Sequence, residues 1–240
     1  AKYVLVPYGI KCSKPGGPYA FHAREPLKAD LEMPVGYYGQ PTYFAAIASR
    51  YQYEYGMTEE QQAAIAISYR AWAVKTPHAQ RREPMDLEGY RKSPMISTPL
   101  RVADCCLMTD GAGAYVVTSV ERARDLPQPP VLTQNENIME FPGRKSVAAA
   151  FEMAGMSVKD VNLAQVYDGF SISALVQTEM LGVCGRGEGA AFYHAGHTRP
   201  GGKFPINTSG GHMSGGYVPG MNLFIEGVRQ VRGQRGEAQV

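Results

Sequence analysis

Short apolar runs of strand composition alternate with segments of helical period along the chain, and this alternation constrains the fold more than any other feature. The run Tyr3–Ile10 is apolar and β-branched, which predicts a buried strand, and a second buried strand is predicted at residues 115–119. Apolar side chains recur at helical spacing from Phe44 to Tyr55 and stop at Gly56. A capped start at Thr58 predicts a second helix. Such alternation predicts an α/β architecture in which helices are layered on sheets.

The second half of the chain continues this pattern. A helix is predicted over residues 145–153, a strand over 163–166 and an apolar helix from Ser171 to Leu181. Residues 185–216 are glycine-rich and predicted to be poor in regular structure, and a last helix is predicted from Tyr217 to Arg232.

Two segments rich in proline organise the chain. Residues 11–42 contain so many prolines and glycines that a long, shaped loop is predicted there. The Pro127–Pro130 segment is the best candidate for a domain boundary. We therefore predict an N-terminal half at residues 1–126, with the inserted loop region, and a C-terminal half at residues 127–240.

Charge and composition exclude several classes of protein. The net charge of +2 provides no basic field for nucleic acid. No apolar run approaches the roughly 20 residues that cross a bilayer, and the first residues do not resemble a secretory leader. Four cysteines in a chain of this length do not make a disulfide framework. We therefore expect a cytoplasmic protein that binds neither membranes nor nucleic acid.

Two segments place polar side chains beside glycines where regular elements end. Tyr167 and Asp168 follow a predicted strand and precede a helix, which is where α/β proteins often place reactive groups. The segment from Asn207 to Gly220 is glycine-rich and leads into the last helix, whose N-terminal dipole would favour an anionic oxygen next to Tyr217. Its further candidate residues, for substrate or oxyanion binding, are Gly210, Gly211, His212 and Gly216.

Some of these residues have equally good structural interpretations. Asp168 acts either as a proton relay or orienting group, or as the N-cap of the following helix. His212 either lines the pocket or is a loop histidine whose hydrogen bonds are satisfied within the loop. His194 and His197 have ligand-like spacing but no evident partner in the sequence, so no metal site is predicted. Cys184 is better explained as a small buried residue than as a nucleophile.

Both segments, together with the run Asp-Gly-Ala-Gly-Ala at residues 110–114, resemble motifs of the thiolase superfamily. The thiolase pattern Asn-x-Asn-Gly-Gly, four residues, Gly-His-Pro-x-Gly lies over residues 207–220, and Asn-Glu-Ala-Phe lies over residues 167–170. The resemblance implies a thiolase-like layered fold of two similar α/β halves. It also implies that the chain is incomplete at both ends, because the nucleophilic cysteine would precede Ala1 and the second catalytic cysteine would follow Val240.

The functional prediction depends on two positions at which the chain differs from the thiolase motifs. Tyr217 stands where thiolases have the catalytic histidine, and Tyr167 stands where they have an asparagine that helps to bind the thioester oxygen. In this respect the chain resembles the lipid-transfer-protein branch and its aldolases, which cut side chains from steroid acyl-CoA thioesters. A retro-aldol reaction needs a base, an acid and no acyl-enzyme, so the resemblance implies that Tyr167 and Tyr217 supply acid–base catalysis and that loop amides stabilise the enolate.

We therefore expect retro-aldol cleavage of a β-hydroxyacyl-CoA to a ketone and a short acyl-CoA such as propionyl-CoA, with no cofactor besides the CoA of the substrate. The alternatives are a thiolase or acyltransferase acting on acyl-CoA thioesters, and a non-catalytic subunit that binds lipid or acyl-CoA. The resemblance further implies a homodimer and a small partner subunit with an OB-fold and a zinc ribbon. The 11–42 loop fits either such a docking surface or a cover over the chain's own active site. The aromatic residues in or beside it that suit a docking surface are Tyr19, Phe21, Tyr37, Tyr38 and Tyr43.

Overall fold

The structure is a computed structural model that describes residues 3–11, 28–37, 39–119, 122 and 144–240. The predicted domain boundary at Pro127–Pro130 and most of the predicted loop at residues 11–42 lie outside the described residues. No helix in the described ranges is both long and apolar enough to cross a membrane.

The described residues form an alternation of helices and short strands. In chain order these are β1 (Tyr3–Ile10), α1 (Gln40–Tyr55), α2 (Glu59–Val74), α3 (Leu87–Lys92), β2 (Met95–Ser97), β3 (Leu100–Arg101), β4 (Gly111–Thr118), α4 (Arg144–Ala154), α5 (Ser171–Leu181), α6 (Gly189–His194) and α7 (Met221–Val231). Short 3-10 or π-helical turns cover Lys28–Glu32, Met33–Val35, Val102–Asp104, Val158–Asp160, Gly211–Gly215 and Gly236–Ala238.

β1 and β4 form an antiparallel pair whose register runs from Tyr3 opposite Thr118 to Ile10 opposite Gly111. One face of this pair packs on α7. A Cβ at Gly113 would lie 2.6 Å from Met221 Cγ, so the absence of a side chain there lets the helix approach the strand closely.

The other face of the β1–β4 pair carries apolar side chains in solvent. Leu5 and Val116 lie opposite each other and are 63% and 61% exposed. The prediction that both strands are buried is therefore wrong among the described residues, because α7 covers only part of the opposite face: Val4 and Val117, paired on that face, are 47% and 48% exposed. The run of apolar and β-branched residues predicted the two strands correctly, but it does not show which element, if any, packs over each face of the sheet.

The first two helices follow their sequence signals closely. α1 ends at Gly56, whose φ of 66° is left-handed and therefore favours glycine. Thr58 accepts a hydrogen bond from the Gln61 amide, and the Gln61 side chain accepts one from the Thr58 amide. This reciprocal capping box starts α2 at Glu59.

α2 is the central element of the core. Its small residues Ala63, Ala64, Ala66 and Ala73 are buried and let neighbouring segments approach its axis, while Tyr69 and Trp72 fill the space between them. A Cβ added at Gly210 would lie 2.6 Å from Ala73 Cβ. The glycine-rich loop therefore rests directly on the C-terminal end of α2.

Three further sequence predictions need correction. The strand predicted at residues 163–166 is an extended segment with one parallel bridge, between Ala164 and Ile206. The short helix Gly189–His194 lies in the segment predicted to be irregular. The last helix starts at Met221 rather than at Tyr217, because Gly220 has a φ of 75° and cannot continue a right-handed helix.

Candidate active site

The hydroxyl groups of Tyr167 and Tyr217 meet at the centre of the candidate site. Their Oη atoms lie 2.8 Å apart, within a normal hydrogen bond, although the residues are 50 positions apart in sequence. Both side chains are half-buried, so this hydrogen bond lies between the packed interior and the surface.

Two side chains of α5, those of Gln177 and Ser173, hold the backbone of Tyr167, and Ser173 Oγ lies 3.2 Å from the Tyr167 carbonyl oxygen. The amide of Tyr167 donates to Gln177 Oε1 at 3.1 Å, and Gln177 Nε2 donates back to the Tyr167 carbonyl at 2.6 Å. A Cβ at Gly169 would lie 2.9 Å from Tyr167 Cε1, so glycine at this position leaves room for the ring. The residue that follows the predicted strand is therefore held by the helix that comes next.

Asp168 fixes the turn that precedes Tyr217. Its fully buried carboxylate accepts hydrogen bonds from the His212 amide, at 2.8 and 2.9 Å, and from the Met213 amide at 3.2 Å. Burial raises the pKa of Asp168 to about 8, and the hydrogen bonds from these amides oppose the shift. Asp168 is not the cap of α5, because Phe170 occupies the N-cap position. Its contacts with the His212 and Met213 amides make it an anchor for the Gly211–Gly215 turn.

His212 lies beneath the tyrosine pair. Its ring packs edge-on against the rings of Tyr167 and Tyr217, with centroid separations of 4.8 and 5.1 Å. The side chain is fully buried, and burial lowers the pKa of His212 to about 3, so the imidazole is neutral at physiological pH. The Nε2 atom lies 3.1 Å from Asn222 Oδ1 and 3.3 Å from the Gly220 amide nitrogen. The buried side chain supports the two tyrosine rings, and the expectation that His212 takes part in substrate binding stays a prediction.

The glycine-rich loop uses its amides internally. The amides of His212 and Met213 donate to Asp168, and those of Gly210, Ser214, Gly215 and Gly216 donate to carbonyls within the loop. These six amides already have hydrogen-bond partners in this conformation, and the Gly211 amide is not among them, so the oxyanion role of the loop stays a prediction. The glycines also allow close packing, since a Cβ at Gly211 would lie 2.1 Å from Asp168 Oδ2.

The electrostatic setting differs from the predicted helix N-terminus beside Tyr217. The amide of Gly220, the N-cap of α7, donates to His212 Nε2, and α7 begins four residues after Tyr217. Burial and the hydrogen bond to Tyr217 both raise the pKa of Tyr167, so that phenol keeps its proton at physiological pH. The pair can therefore combine a proton donor at Tyr167 with an adjoining hydroxyl at Tyr217.

The remaining candidates lie apart from this cluster. His197 packs against the ring of Phe192 at 4.8 Å, and His194 is exposed at the end of α6. Burial raises the pKa of Cys184 to about 12, which disfavours the thiolate. Within the described ranges, no group of three or more His, Cys, Asp or Glu side chains is arranged to hold a metal ion.

Sequence reasoning missed the side chains that hold the tyrosines in place. Gln177, Asn222 and Thr109 each contact a backbone group of the two site segments. Gln177 lies ten residues after Tyr167 on the predicted helix, a spacing that pattern analysis does not associate with a site. Thr109 comes from a distant part of the chain and has no signal of its own in the sequence.

Residues 128–240 match the thiolase C-terminal domain-like family. The chain is 36% identical over 220 residues to a steroid side-chain-cleaving aldolase of Thermomonospora curvata, covering 84% of this chain and 56% of that protein. It is 38% identical over 208 residues to a 17-hydroxy-3-oxo-4-pregnene-20-carboxyl-CoA lyase of Mycobacterium tuberculosis, covering 79% and 54%. The chain thus spans about half the length of these curated relatives.

Solved structures share the fold. The Ltp2-ChsH2(DUF35) aldolase superimposes with a TM-score of 0.86 at 32% identity, covering 99% of this chain and 66% of that chain. The dimeric peroxisomal thiolase of Saccharomyces cerevisiae superimposes with a TM-score of 0.59 at 15% identity, covering 98% and 63%, which supports the fold alone. The class is thus a thiolase-like α/β protein with a tyrosine pair in its site. The chain belongs to the thiolase superfamily, and it resembles the lipid-transfer-protein branch of steroid side-chain-cleaving aldolases.

Proposed function

We propose that the protein to which this chain belongs cleaves a β-hydroxyacyl-CoA by a retro-aldol reaction, giving a ketone and a short acyl-CoA. The observation that carries the proposal is the 2.8 Å contact between the hydroxyls of Tyr167 and Tyr217, at the two positions where thiolase motifs place asparagine and histidine. Relatives named as a steroid side-chain-cleaving aldolase and a carboxyl-CoA lyase support a steroid side-chain thioester as substrate and propionyl-CoA as the short product.

In the proposed mechanism, Tyr217 is the base and Tyr167 is the acid. The Tyr217 oxygen accepts the proton of the substrate β-hydroxyl while the Tyr217 hydroxyl passes its own proton to Tyr167 along their hydrogen bond. The Cα–Cβ bond breaks, its electron pair forms the thioester enolate, and the ketone forms at Cβ. Tyr167, whose pKa is raised by burial and by its hydrogen bond to Tyr217, donates its own proton to Cα, so both hydroxyls end the reaction as they began it.

The proposed reaction requires no redox or group-transfer partner, because the bonds broken and formed all lie within the substrate and the tyrosine pair. CoA enters as part of the substrate, and we propose no further cofactor. We propose that the activity is cytoplasmic, since the relatives named as an aldolase and a lyase are bacterial enzymes.

The test uses the full-length protein with a β-hydroxyacyl-CoA, and both products are identified by mass spectrometry. Tyr167→Phe and Tyr217→Phe should each lower turnover by roughly 10²–10⁴-fold, the range for loss of acid–base catalysis. Tyr53→Phe is the matched control, since Tyr53 is 83% exposed on α1 and should retain full activity. Full turnover by either site variant would refute the assignment.

A thiolase or acyltransferase function is the second candidate, since the chain is also 32% identical over 217 residues to an acetyl-CoA acetyltransferase of Methanothermobacter thermautotrophicus. That function would form a covalent acyl-enzyme on a cysteine, which intact-mass analysis after incubation with acyl-CoA detects. Tight binding of β-hydroxyacyl-CoA without turnover or acylation would instead identify a non-catalytic carrier.

We also propose a homodimer and a small partner subunit with an OB-fold and a zinc ribbon. The apolar outer face of the β1–β4 pair favours self-association, and Tyr37, 43% exposed, supplies an aromatic side chain within the predicted docking loop. The structural relative named as an Ltp2-ChsH2(DUF35) aldolase supports a two-component assembly. Light scattering of the full-length protein alone should give the mass of a homodimer. Light scattering of the protein co-expressed with a candidate partner should give the mass of a complex with two chains of each kind. A monomer at micromolar concentration would contradict the homodimer.

A further inference from the structure

One short segment connects the two parts of the chain that carry the tyrosines. The amide of Cys106 donates to the Gly169 carbonyl at 2.9 Å, beside Tyr167. One residue later, the amide of Leu107 donates to the His212 carbonyl at 3.1 Å. Residues 105–109, here called the strap, therefore lie between the Tyr167 segment and the glycine-rich loop.

The strap ends at Thr109, whose side chain holds the backbone of Tyr217. The Tyr217 amide donates to Thr109 Oγ1 at 2.9 Å, and the Thr109 hydroxyl donates to Gln80 Oε1 at 2.5 Å. The Gln80 amide in turn donates to the Gly215 carbonyl at 3.1 Å. Because the hydroxyl is committed as donor to Gln80, its lone pair is directed at the Tyr217 amide.

We infer that Thr109 is a positioning residue for the tyrosine pair. The strap holds the Tyr167 and Tyr217 segments at a fixed separation, and the hydrogen bond from the Tyr217 amide to the Thr109 hydroxyl fixes the position of the Tyr217 backbone. The inference rests on the proposed function only for its catalytic consequence. Thr109 precedes β4 and is 8% exposed, so the contact is shielded from competing water.

The separation matters because proton transfer between the hydroxyls requires the short contact. Tyr217 lies between two glycines at positive φ, Gly216 at 144° and Gly220 at 75°, whose backbones are intrinsically permissive. The peptide unit between Gly216 and Tyr217 is held on one side by Asn222 Nδ2, 2.9 Å from the Gly216 carbonyl oxygen, and on the other by Thr109 Oγ1. Without the Thr109 contact, this peptide unit can rotate about the remaining contact and displace the Tyr217 side chain. A displacement of about 1 Å at a catalytic group can reduce the rate about 10²-fold.

The test compares Thr109→Val, which keeps the shape and removes the hydroxyl, with Thr109→Ser, which keeps the hydroxyl. In the full-length protein, Thr109→Val should lower kcat about 10–100-fold and leave KM within about 3-fold, because it misplaces the reacting groups without removing substrate contacts. Thr109→Ser should restore kcat to within about 3-fold of the wild type. Gln80→Ala, on an exposed loop, tests the same contact should Thr109→Val fail to fold, and it should lower kcat in the same direction.

A second measurement does not depend on activity. With tyrosines labelled at 13Cζ and assigned through Tyr167→Phe and Tyr217→Phe, Thr109→Val should shift both site resonances while Thr109→Ser leaves them in place. Unchanged resonances and kcat in Thr109→Val would overturn the inference, as would an equal loss in Thr109→Ser. A wild-type protein without any cleavage activity would refute the proposed function, while the resonances would still decide the role of Thr109.

Discussion

Gly211→Ala is the substitution that tests most sharply how Asp168 anchors the site loop. Gly211 has a φ of 58°, and a Cβ at this position would lie 2.1 Å from Asp168 Oδ2 and 2.8 Å from Asn207 Nδ2. Both neighbours are fully buried, and Asn207 is itself held by Val166 through hydrogen bonds of 2.8 and 2.9 Å. Neither side chain can move away without breaking contacts that the core depends on.

Two separable costs add up in this variant. A left-handed conformation costs a non-glycine residue about 1–2 kcal/mol, and overpacking a rigid site costs about 1–3 kcal/mol more. The expected loss in the free energy of unfolding is therefore about 2–5 kcal/mol. For a chain of this size, each kcal/mol lowers Tm by about 2–4 °C.

Gly233→Ala is the matched control, because Gly233 has a φ of 66° and no atom lies within 4 Å of the position that the alanine methyl group would take. Only the conformational cost applies there, so its loss should be about 1–2 kcal/mol. Urea denaturation followed by circular dichroism measures both variants. Equal losses in Gly211→Ala and Gly233→Ala would refute the tight packing of the loop on Asp168.

Two further predictions concern buried charge and pH. His212 has its ordinary pKa of 6.5 in the unfolded chain and about 3 in the fold, so only the unfolded state gains its proton between these values. The free energy of unfolding of the wild type, relative to that of His212→Asn, should therefore fall as pH drops below 6.5, by up to about 1.4 kcal/mol per pH unit. Urea denaturation of both proteins at pH 7.5 and at pH 5 measures this difference. A difference in stability that is the same at both pH values would contradict a buried neutral imidazole. Glu226→Gln should destabilise by about 3–5 kcal/mol because it leaves Arg235 buried without its carboxylate, whereas Glu88→Gln in an exposed pair should cost about 0–1 kcal/mol by the same urea assay. Similar losses in these two variants would contradict the distinction.

Local signals predicted the helices well where a helix has its own start and stop residues. The capping box at Thr58 and the left-handed Gly56 are chemical features of the sequence that the fold uses directly. The strand at residues 163–166 was overpredicted because an apolar run looks the same whether it forms a full ladder or one bridge. The exposed face of the β1–β4 pair could not be predicted, since burial of a strand depends on what packs against it.

Only those residues of the candidate site that lie in a recognisable sequence motif could be predicted. The residues at Tyr167 and Tyr217 were identified through two motifs, and their hydroxyls lie in hydrogen-bond contact. The interpretation of the glycine loop as an oxyanion site could not be tested on sequence, because the direction of an amide is a property of the folded turn. Thr109 was missed for a similar reason: its contact with Tyr217 spans 108 positions in sequence and leaves no local pattern.

The most direct test of the central claim is a double-mutant cycle on the tyrosine pair, measured as kcat for carbon–carbon cleavage of a β-hydroxyacyl-CoA. Groups that act as one unit give strongly non-additive effects, since losing either partner already disables the unit. If Tyr167 and Tyr217 exchange a proton across their 2.8 Å contact, the double Phe variant should be no slower than the slower single variant. Single-variant losses that multiply in the double variant would show that the two hydroxyls act independently and would contradict the proposed mechanism.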